Sequence, residues 1–177
     1  IKVALTQSIS IGVWASFLTF FSTYLVLNKG LSFEVSSLTL VIASISGIIF
    51  ALLGGYFSDK KFKKNQWLSF PLLLLAVIFL LMDFIVGLDT FIDLLIPCTV
   101  GALIWIPQGS IWALPRMIEP EQSNLAMGLL VMATGITGFS FPILFGLLVD
   151  ITGGYVLSYL LLGLVLLITS GISYTLR

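Results

Sequence analysis

Two glutamines and three tryptophans are the side chains of this 177-residue chain whose types and spacing suit chemistry in an apolar setting. Gln7, Ser10, Trp14, Phe17, Phe21 and Tyr24 fall at i, +3, +7, +10, +14 and +17. Gly101, Trp105, Gln108 and Trp112 fall at i, +4, +7 and +11. Each series keeps to one face of a helix. Aromatic walls with a few placed amides suit noncovalent binding of a small molecule in a mostly apolar site. Gln7 and Trp112 lie near the ends of their segments, where interfacial polar and aromatic residues are ordinary. Trp105 and Gln108 lie deeper, and a buried glutamine can also serve to join two helices. Covalent chemistry is not indicated. The chain has no histidine, hence no Ser/His pair and no HExxH metal site, and no two carboxylates pair inside an apolar run. Cys98 stands alone, so there is neither an internal disulfide nor a cysteine metal cluster. The residues point away from an enzyme and call for no cofactor.

The elements that must position these side chains follow from composition. The chain is 59% hydrophobic and 9% charged, against about 25% charged in an ordinary soluble domain. So small a domain has too much surface to hide that apolar excess. Six apolar runs, roughly 3–27, 36–57, 67–86, 91–114, 124–149 and 155–174, are each long enough to cross about 30 Å of hydrocarbon as a helix. They do not alternate as barrel strands would. The expected fold is an all-α membrane protein of six transmembrane helices forming one bundle, in contact with the lipid bilayer. With Lys2 on the cytoplasmic side, Lys60, Lys61, Lys63, Lys64, Arg116 and Arg177 fall there too, and Lys29 alone falls opposite. This bias places both termini in the cytoplasm. A net charge of zero offers nucleic acid no electrostatic footprint. The chain starts at Ile1 and enters a span almost at once, which reads as a fragment of a longer protein.

The six helices differ in character. The second has small residues four apart, Ala43, Gly47, Ala51 and Gly55. The fifth has Gly138, Pro142 and Gly146, with Gly128 and Gly135 besides. Such faces let backbones approach closely, and Pro142 removes one helical hydrogen bond, so these two read as packing and hinge elements. The third and sixth are apolar almost all round and suit peripheral, lipid-facing places. Hydroxyls of the sixth (Ser158, Thr169, Ser170 and Ser173) need do no more than bond back to their own helix. The first and fourth carry the polar and aromatic faces, and Pro107 is placed to break the fourth near Trp105 and Gln108. Lined, packed, peripheral, then the same again, is a three-plus-three repeat, and the second triplet enters the membrane from the opposite side, so the repeats are inverted. No charge lies in mid-span; Asp83 and Asp93 sit near outer ends, where solvation is cheap.

One short turn remains. "GGYFSDKKFKK", Gly54 to Lys64, concentrates charge after the second helix. Gly55, Asp59, Lys60 and Lys63 or Lys64 resemble the G-x-x-x-D-[RK]-x-x-[RK] loop signature of the major facilitator superfamily, with Phe62 where the fuller form has glycine. The segment 123–155 resembles that family's eleventh helix and its exit turn. "GALIWIPQGSIWALPRM" lacks the arginine-glutamine-glycine motif common in amino-terminal halves. The chain is thus similar to the carboxy-terminal six-helix half, helices seven to twelve.

The resemblance implies a secondary transporter of a small-molecule substrate, working by alternating access, with this chain as one of two bundles. An amino-terminal six-helix half or a second copy would complete it, in a multi-pass integral membrane protein of the cell membrane. The alternative is a non-transporting subunit or receptor-like protein of the same fold. The resemblance also gives the loop a role. Asp59 would contact a helix N-terminus of the other half and hold the cytoplasmic side closed, with Gly55 allowing the approach and Lys60, Lys63 and Lys64 flanking it. A carboxylate at a helix N-terminus gains about 0.3–2 kcal/mol, whereas a wet pair of Asp59 with Lys63 or Lys64 gains little. Trp14, Trp105 and Gln108, then Gln7, Phe17, Phe21, Tyr24 and Trp112, are the expected substrate pathway.

Overall fold

The computed structural model describes residues 2–60, 64–118 and 120–175, apart from the side chains of 58–60, 64–65, 90, 115 and 118. Among the described residues there are helices and no strands. They run α1 (Lys2–Lys29), α2 (Phe33–Lys60), α3 (Lys64–Leu80), α4 (Met82–Ile85), α5 (Thr90–Trp105), α6 (Gln108–Ile118), α7 (Ser123–Thr152) and α8 (Val156–Tyr174). Helix is the form in which one segment satisfies its own backbone in hydrocarbon. Five stretches are long and apolar enough to cross a membrane: Lys2–Lys29, Phe33–Phe57, Phe91–Leu114, Ser123–Thr152 and Val156–Tyr174. Gln66–Leu80 is a shorter apolar helix. The third run breaks at Leu81, which separates α3 from α4, and the fourth breaks at Ile106–Pro107, which separates α5 from α6. Helix α7 continues through Pro142 and stops at Gly153. That residue takes φ of 69° and returns its N–H to the Val149 carbonyl at 2.8 Å, a left-handed cap that glycine adopts without steric cost. The two ends of the chain meet on one face, where Lys2 Nζ donates to Thr175 Oγ1 at 3.1 Å.

The packing follows the repeat. The most extensive helix pairs are α1 with α7, α2 with α5, and α3 with α8. The first helix of each triplet thus packs against the second of the other, and the two third helices pack together. Glycines set the close approaches. A Cβ on Gly101 would overlap the Ala43 carbonyl and Ser46 Oγ, and one on Gly54 would overlap the Ile106 carbonyl. A Cβ on Gly12 would lie 2.7 Å from the Phe141 ring. Gly47 and buried Ala43 lie at the α2–α5 seam. At Gly55 an added Cβ meets nothing within 4 Å, while a Cβ on Gly109 of α6 would lie 3.2 Å from Gly55 Cα; the Ile106 carbonyl is met one residue earlier, about 100° round the helix.

The third and sixth spans differ from expectation. Helix α8 is not apolar all round: Ser158, Tyr159, Leu162, Gly163, Leu166, Thr169, Ser170 and Ser173 form one buried stripe. Ser170 Oγ donates to the Ser69 carbonyl at 2.9 Å and Ser69 Oγ to the Ser170 carbonyl at 3.0 Å. Ser158 Oγ reaches the Phe145 carbonyl at 3.1 Å, and Ser173 Oγ lies 3.1 Å from Thr6 Oγ1. Of the hydroxyls read as self-bonded, Thr169 does bond back to the Val165 carbonyl and Ser173 to the Thr169 carbonyl, whereas Ser158 and Ser170 tie helices together and Ser173 also meets Thr6. The least buried span is α7, with 11% of its apolar stretch inside the bundle, against 44% for α8.

Candidate functional site

The polar and aromatic faces of α1 and α5–α6 do meet, but not along one open wall. The stripe on α1 is a seam that touches a different helix at each turn. Gln7 Nε2 donates to Gln108 Oε1 of α6 at 2.7 Å. Trp14 meets Trp105 of α5 edge-on, with ring centroids 6.1 Å apart and planes at 88°. Phe17 lies edge-on to Phe79 of α3 at 6.0 Å. Tyr24 meets Tyr159 of α8 at 5.1 Å and Tyr155 at 5.4 Å. Phe17, Phe21 and Tyr24 have no exposed surface. They form a continuous pile with Phe79, Phe145 and Tyr159 inside the bundle, and the structure gives them a packing place instead of a surface on a pathway. Spacing alone put all six residues on one face, but a helix with neighbours on several sides has no single open face.

Open space lies beside the two indoles. A groove of about 400 Å³ is lined by Trp14 and Leu18 of α1, Ser44, Ile48, Ala51 and Leu52 of α2, and Trp105 of α5. Trp14 is twelve residues from Lys2, and Ser44 eleven from Phe33, which at 1.5 Å per residue puts both near mid-membrane. Gly47 makes the seat for the Trp105 ring, since a Cβ there would lie 2.6 Å from Trp105 Cδ1. Ser44 Oγ bonds to its own helix at the Leu40 carbonyl, 2.9 Å away. Leu18, Ile48 and Leu52 were not singled out from the sequence. Ser44, Ile48 and Ala51 do share a helical face at i, +4 and +7, and that spacing was the available signal.

The two glutamines lie toward the lysine-rich end, at the helix break. Pro107 has no N–H, so the helical ladder fails there. The chain re-forms its bonds through Ile106 N–H to the Ala102 carbonyl at 2.9 Å and Ile111 N–H to the Pro107 carbonyl at 3.1 Å. Gln108 Nε2 supplies the Ile104 carbonyl at 3.2 Å. That bond orients the Gln108 amide so that its oxygen accepts from Gln7. Both residues are buried, at 0% and 3% exposure, and Gln7 Oε1 has no donor. Trp112 is half-buried and packs against a separate small core of Leu68, Ile111, Leu114 and Leu130. The pair therefore joins α1 to the broken helix instead of facing open space.

At the opposite end, Tyr24 Oη donates to Asp83 Oδ1 at 3.0 Å, and Lys29 Nζ lies 3.8 Å from the same oxygen and 3.2 Å from the Asp83 carbonyl. Asp93 is not at a solvated edge as expected. It is 2% exposed and accepts the Gly87 N–H at 2.7 Å, pinning a turn where Gly87 has φ of 87°. On α7, Gly138 faces Ile11, and a Cβ on Gly146 would lie 3.0 Å from the Phe20 ring; Pro142 is half-buried between them. Of the loop residues, Lys63 and the side chains of Asp59, Lys60 and Lys64 lie outside the described residues.

Comparison with known proteins agrees with this architecture. The family model of the Major Facilitator Superfamily matches residues 3–176. Over 164 residues the chain is 27% identical to a protein of Cupriavidus necator named "Probable sulfoacetate transporter SauU", covering 85% of this chain and 36% of that one. The chain thus spans about a third of the length of that relative. A bundle of six helices in two inverted triplets, matched from end to end by one family, belongs to the major facilitator superfamily of membrane transporters.

Proposed function

We propose that this chain supplies one of the two six-helix bundles of a secondary active transporter, which moves a small solute by alternating access. The observation that carries the reading is the mid-membrane groove between Trp14 and Trp105, walled on one side by α2; α2 and α7 are the most exposed long helices of the bundle. Those helices offer faces for a second bundle, most simply an amino-terminal half of the same polypeptide. The groove holds indoles, aliphatic side chains and one hydroxyl, and no charge. For an anion of the kind named in the Cupriavidus relative, the recognising cation would therefore come from the other bundle. The positive-inside bias sets the lysine-rich face, and with it both ends of this chain, in the cytoplasm. Asp59 acts as the cytoplasmic latch, and Asp59→Asn shifts the bundles toward the open side. Phe17, Phe21 and Tyr24 transmit force as packing; Gln7 and Gln108 hold the broken helix.

The test uses the full-length protein in proteoliposomes, with sulfoacetate and a panel of small carboxylates as solutes. Uptake above empty vesicles, lowered about tenfold or more by Trp105→Ala in protein whose circular dichroism stays native, is the expected result; losing a solute contact with the indole of about 1.4 kcal/mol has that size. A cysteine at Ser44 should react with a water-soluble thiol reagent and be protected by the transported solute. Absence of uptake together with an unreactive Ser44→Cys would favour the non-transporting subunit or receptor-like reading.

A further inference from the structure

The two indoles that border the mid-membrane groove leave their N–H groups unspent. An indole N–H can donate a hydrogen bond and cannot accept one. Among the described residues neither Trp14 Nε1 nor Trp105 Nε1 has an acceptor, although Trp14 is only 9% exposed, and neither nitrogen is sealed inside the bundle. Both rings line the groove, so that is where an acceptor can reach them. In hydrocarbon a donor without a partner is costly until something accepts from it. The rest of the lining does not. Its four aliphatic residues carry no polar side-chain atom, and Ser44 Oγ is turned to the Leu40 carbonyl of its own helix at 2.9 Å. No described carboxylate lines the groove. This wall offers donors to a solute and almost nothing to accept from one. The aim of Trp105 is set by Gly47. A Cβ there would lie 2.6 Å from Trp105 Cδ1, 3.0 Å from Nε1 and 3.2 Å from Cγ, so the edge of the indole that carries the N–H rests on the α2 backbone. Gly47 follows Ser44 by three residues and precedes Ala51 by four, which keeps that edge on the face of α2 that walls the groove.

We propose, on the transporter reading above, that Trp105 is a specificity-determining residue: its N–H donates to a carboxylate or sulfonate oxygen of the solute, with the Trp14 N–H as a second donor beside it. The solute class follows from the match of donors to acceptors. Ionised carboxylate oxygens accept and do not donate, and a bond to a charged acceptor is about twice as strong as one between neutral groups. An amine or ammonium would bring donors to a wall that already has donors and no carboxylate. The indoles therefore select for acceptor oxygens, while the balancing charge stands in the other bundle. Gly47 is a positioning residue that acts through Trp105. A methyl group there would meet the ring at its N–H edge and turn the donor away from its line to the solute.

The experiment replaces Trp105 of the full-length protein by benzothienylalanine, which keeps the shape of the ring and puts sulfur where the N–H was. Uptake into proteoliposomes is measured for sulfoacetate, malonate, glycerol and tetramethylammonium. Wild type should take up one of the two anions, and acetate and methanesulfonate should compete with it while tetramethylammonium does not. Loss of the N–H should raise KM for that anion about tenfold or more and leave kcat nearly unchanged. Gly47→Ala should raise KM by a similar factor when Trp105 is present and add nothing once the N–H is gone; a merely structural role would lower uptake equally in both backgrounds. The benzothienyl replacement tests the donor even where Gly47→Ala fails to fold. Unchanged KM without the N–H would overturn the proposal and leave the transporter reading standing. Uptake of glycerol or tetramethylammonium alone by the wild type would do the same. Uptake of none of the four would remove both.

Discussion

The stripe on α1 divides into two halves of equal spacing and opposite character. From Phe17 to Tyr24 it is held by rings, with Phe17 and Phe21 stacked at 4.5 Å and both closed in by α3 and α8. From Gln7 to Trp14 it is held by an amide pair and one edge-on indole contact, against a partner helix that is broken. The outer half buries large flat groups against α3 and α8, and the break of the third span at Leu81 lies just beyond Phe79, at the edge of the pile. The lysine-rich half borders the groove, and a side chain stands in for a lost main-chain bond. The difference shows where the bundle is a fixed body and where its sequence admits a second arrangement. Helices locked by close aromatic packing have few alternatives at little cost. A helix already cut at Pro107 has fewer bonds to lose in bending.

That contrast is broken most severely at Gly54. If the two pieces of the broken helix were loosely held, extra volume there would be absorbed. The Ile106 carbonyl stands against Gly54 backbone to backbone, and neither side has a flexible end to yield. Gly54→Ala should therefore cost about 1–3 kcal/mol as overpacking, toward the upper end. Gly55→Ala has open space in this bundle and should leave its stability unchanged. Titration of unfolding in detergent measures both. A loss of transport in Gly55→Ala without a loss of stability would mark Gly55 as the contact for the second bundle, and equal destabilisation by both would contradict the register described here.

Phe21→Ala tests the outer half. In a water-soluble core, Phe→Ala costs about 3–5 kcal/mol, the sum of a transfer and a cavity contribution. In a membrane the unfolded reference leaves the ring in lipid, so most of the transfer part is absent. Roughly 2 kcal/mol should remain. A value near zero in the same unfolding titration would mean that the aromatic pile does not fix α1. Gln108→Leu tests the lysine-rich half and should cost less, about 1 kcal/mol for the lost bond to Gln7, but it should reduce transport more than Phe21→Ala does. The reverse ranking of the two activities in the proteoliposome assay would erase the proposed division between a fixed half and an adaptable one.

Much of this architecture is written in the sequence because lipid imposes it. Apolar runs of spanning length must be helices, and six of them in two similar triplets leave few ways to pack. The break at Pro107 was legible because proline lacks a donor. The neighbours of each face were not. Phe17 and Trp14 look alike on a helical wheel, and only the three-dimensional arrangement shows Phe79 over one and open space beside the other. Gly54 and Gly55 are adjacent and both small, so the sequence does not distinguish the one that meets the Ile106 carbonyl from the one whose backbone lies near Gly109. Asp93 was placed in solvent because its distance from the span end says nothing about the Gly87 N–H it accepts.

The smallest expected effect concerns the helices that read as merely lipid-facing. Ser69 and Ser170 exchange hydroxyl-to-carbonyl bonds across α3 and α8, and their hydroxyls lie 3.0 Å apart. In hydrocarbon there is no water to replace such bonds, which argues that they are strong. The unfolded reference argues otherwise. A serine on an isolated membrane helix bonds to its own carbonyl one turn back, so it loses little when the partner helix is gone. Measured interhelical bonds in a membrane average about 0.6 kcal/mol for this reason. Ser69→Ala and Ser170→Ala should each cost about that much, and a double-mutant cycle should show a coupling of similar size because each hydroxyl serves the other residue. A coupling above about 2 kcal/mol would exceed the range for such bonds and would make the α3–α8 pair, instead of the aromatic pile, the fixed point of the bundle. A coupling of zero would leave shape alone, with Gly163 seated on Leu80, to hold the two helices together.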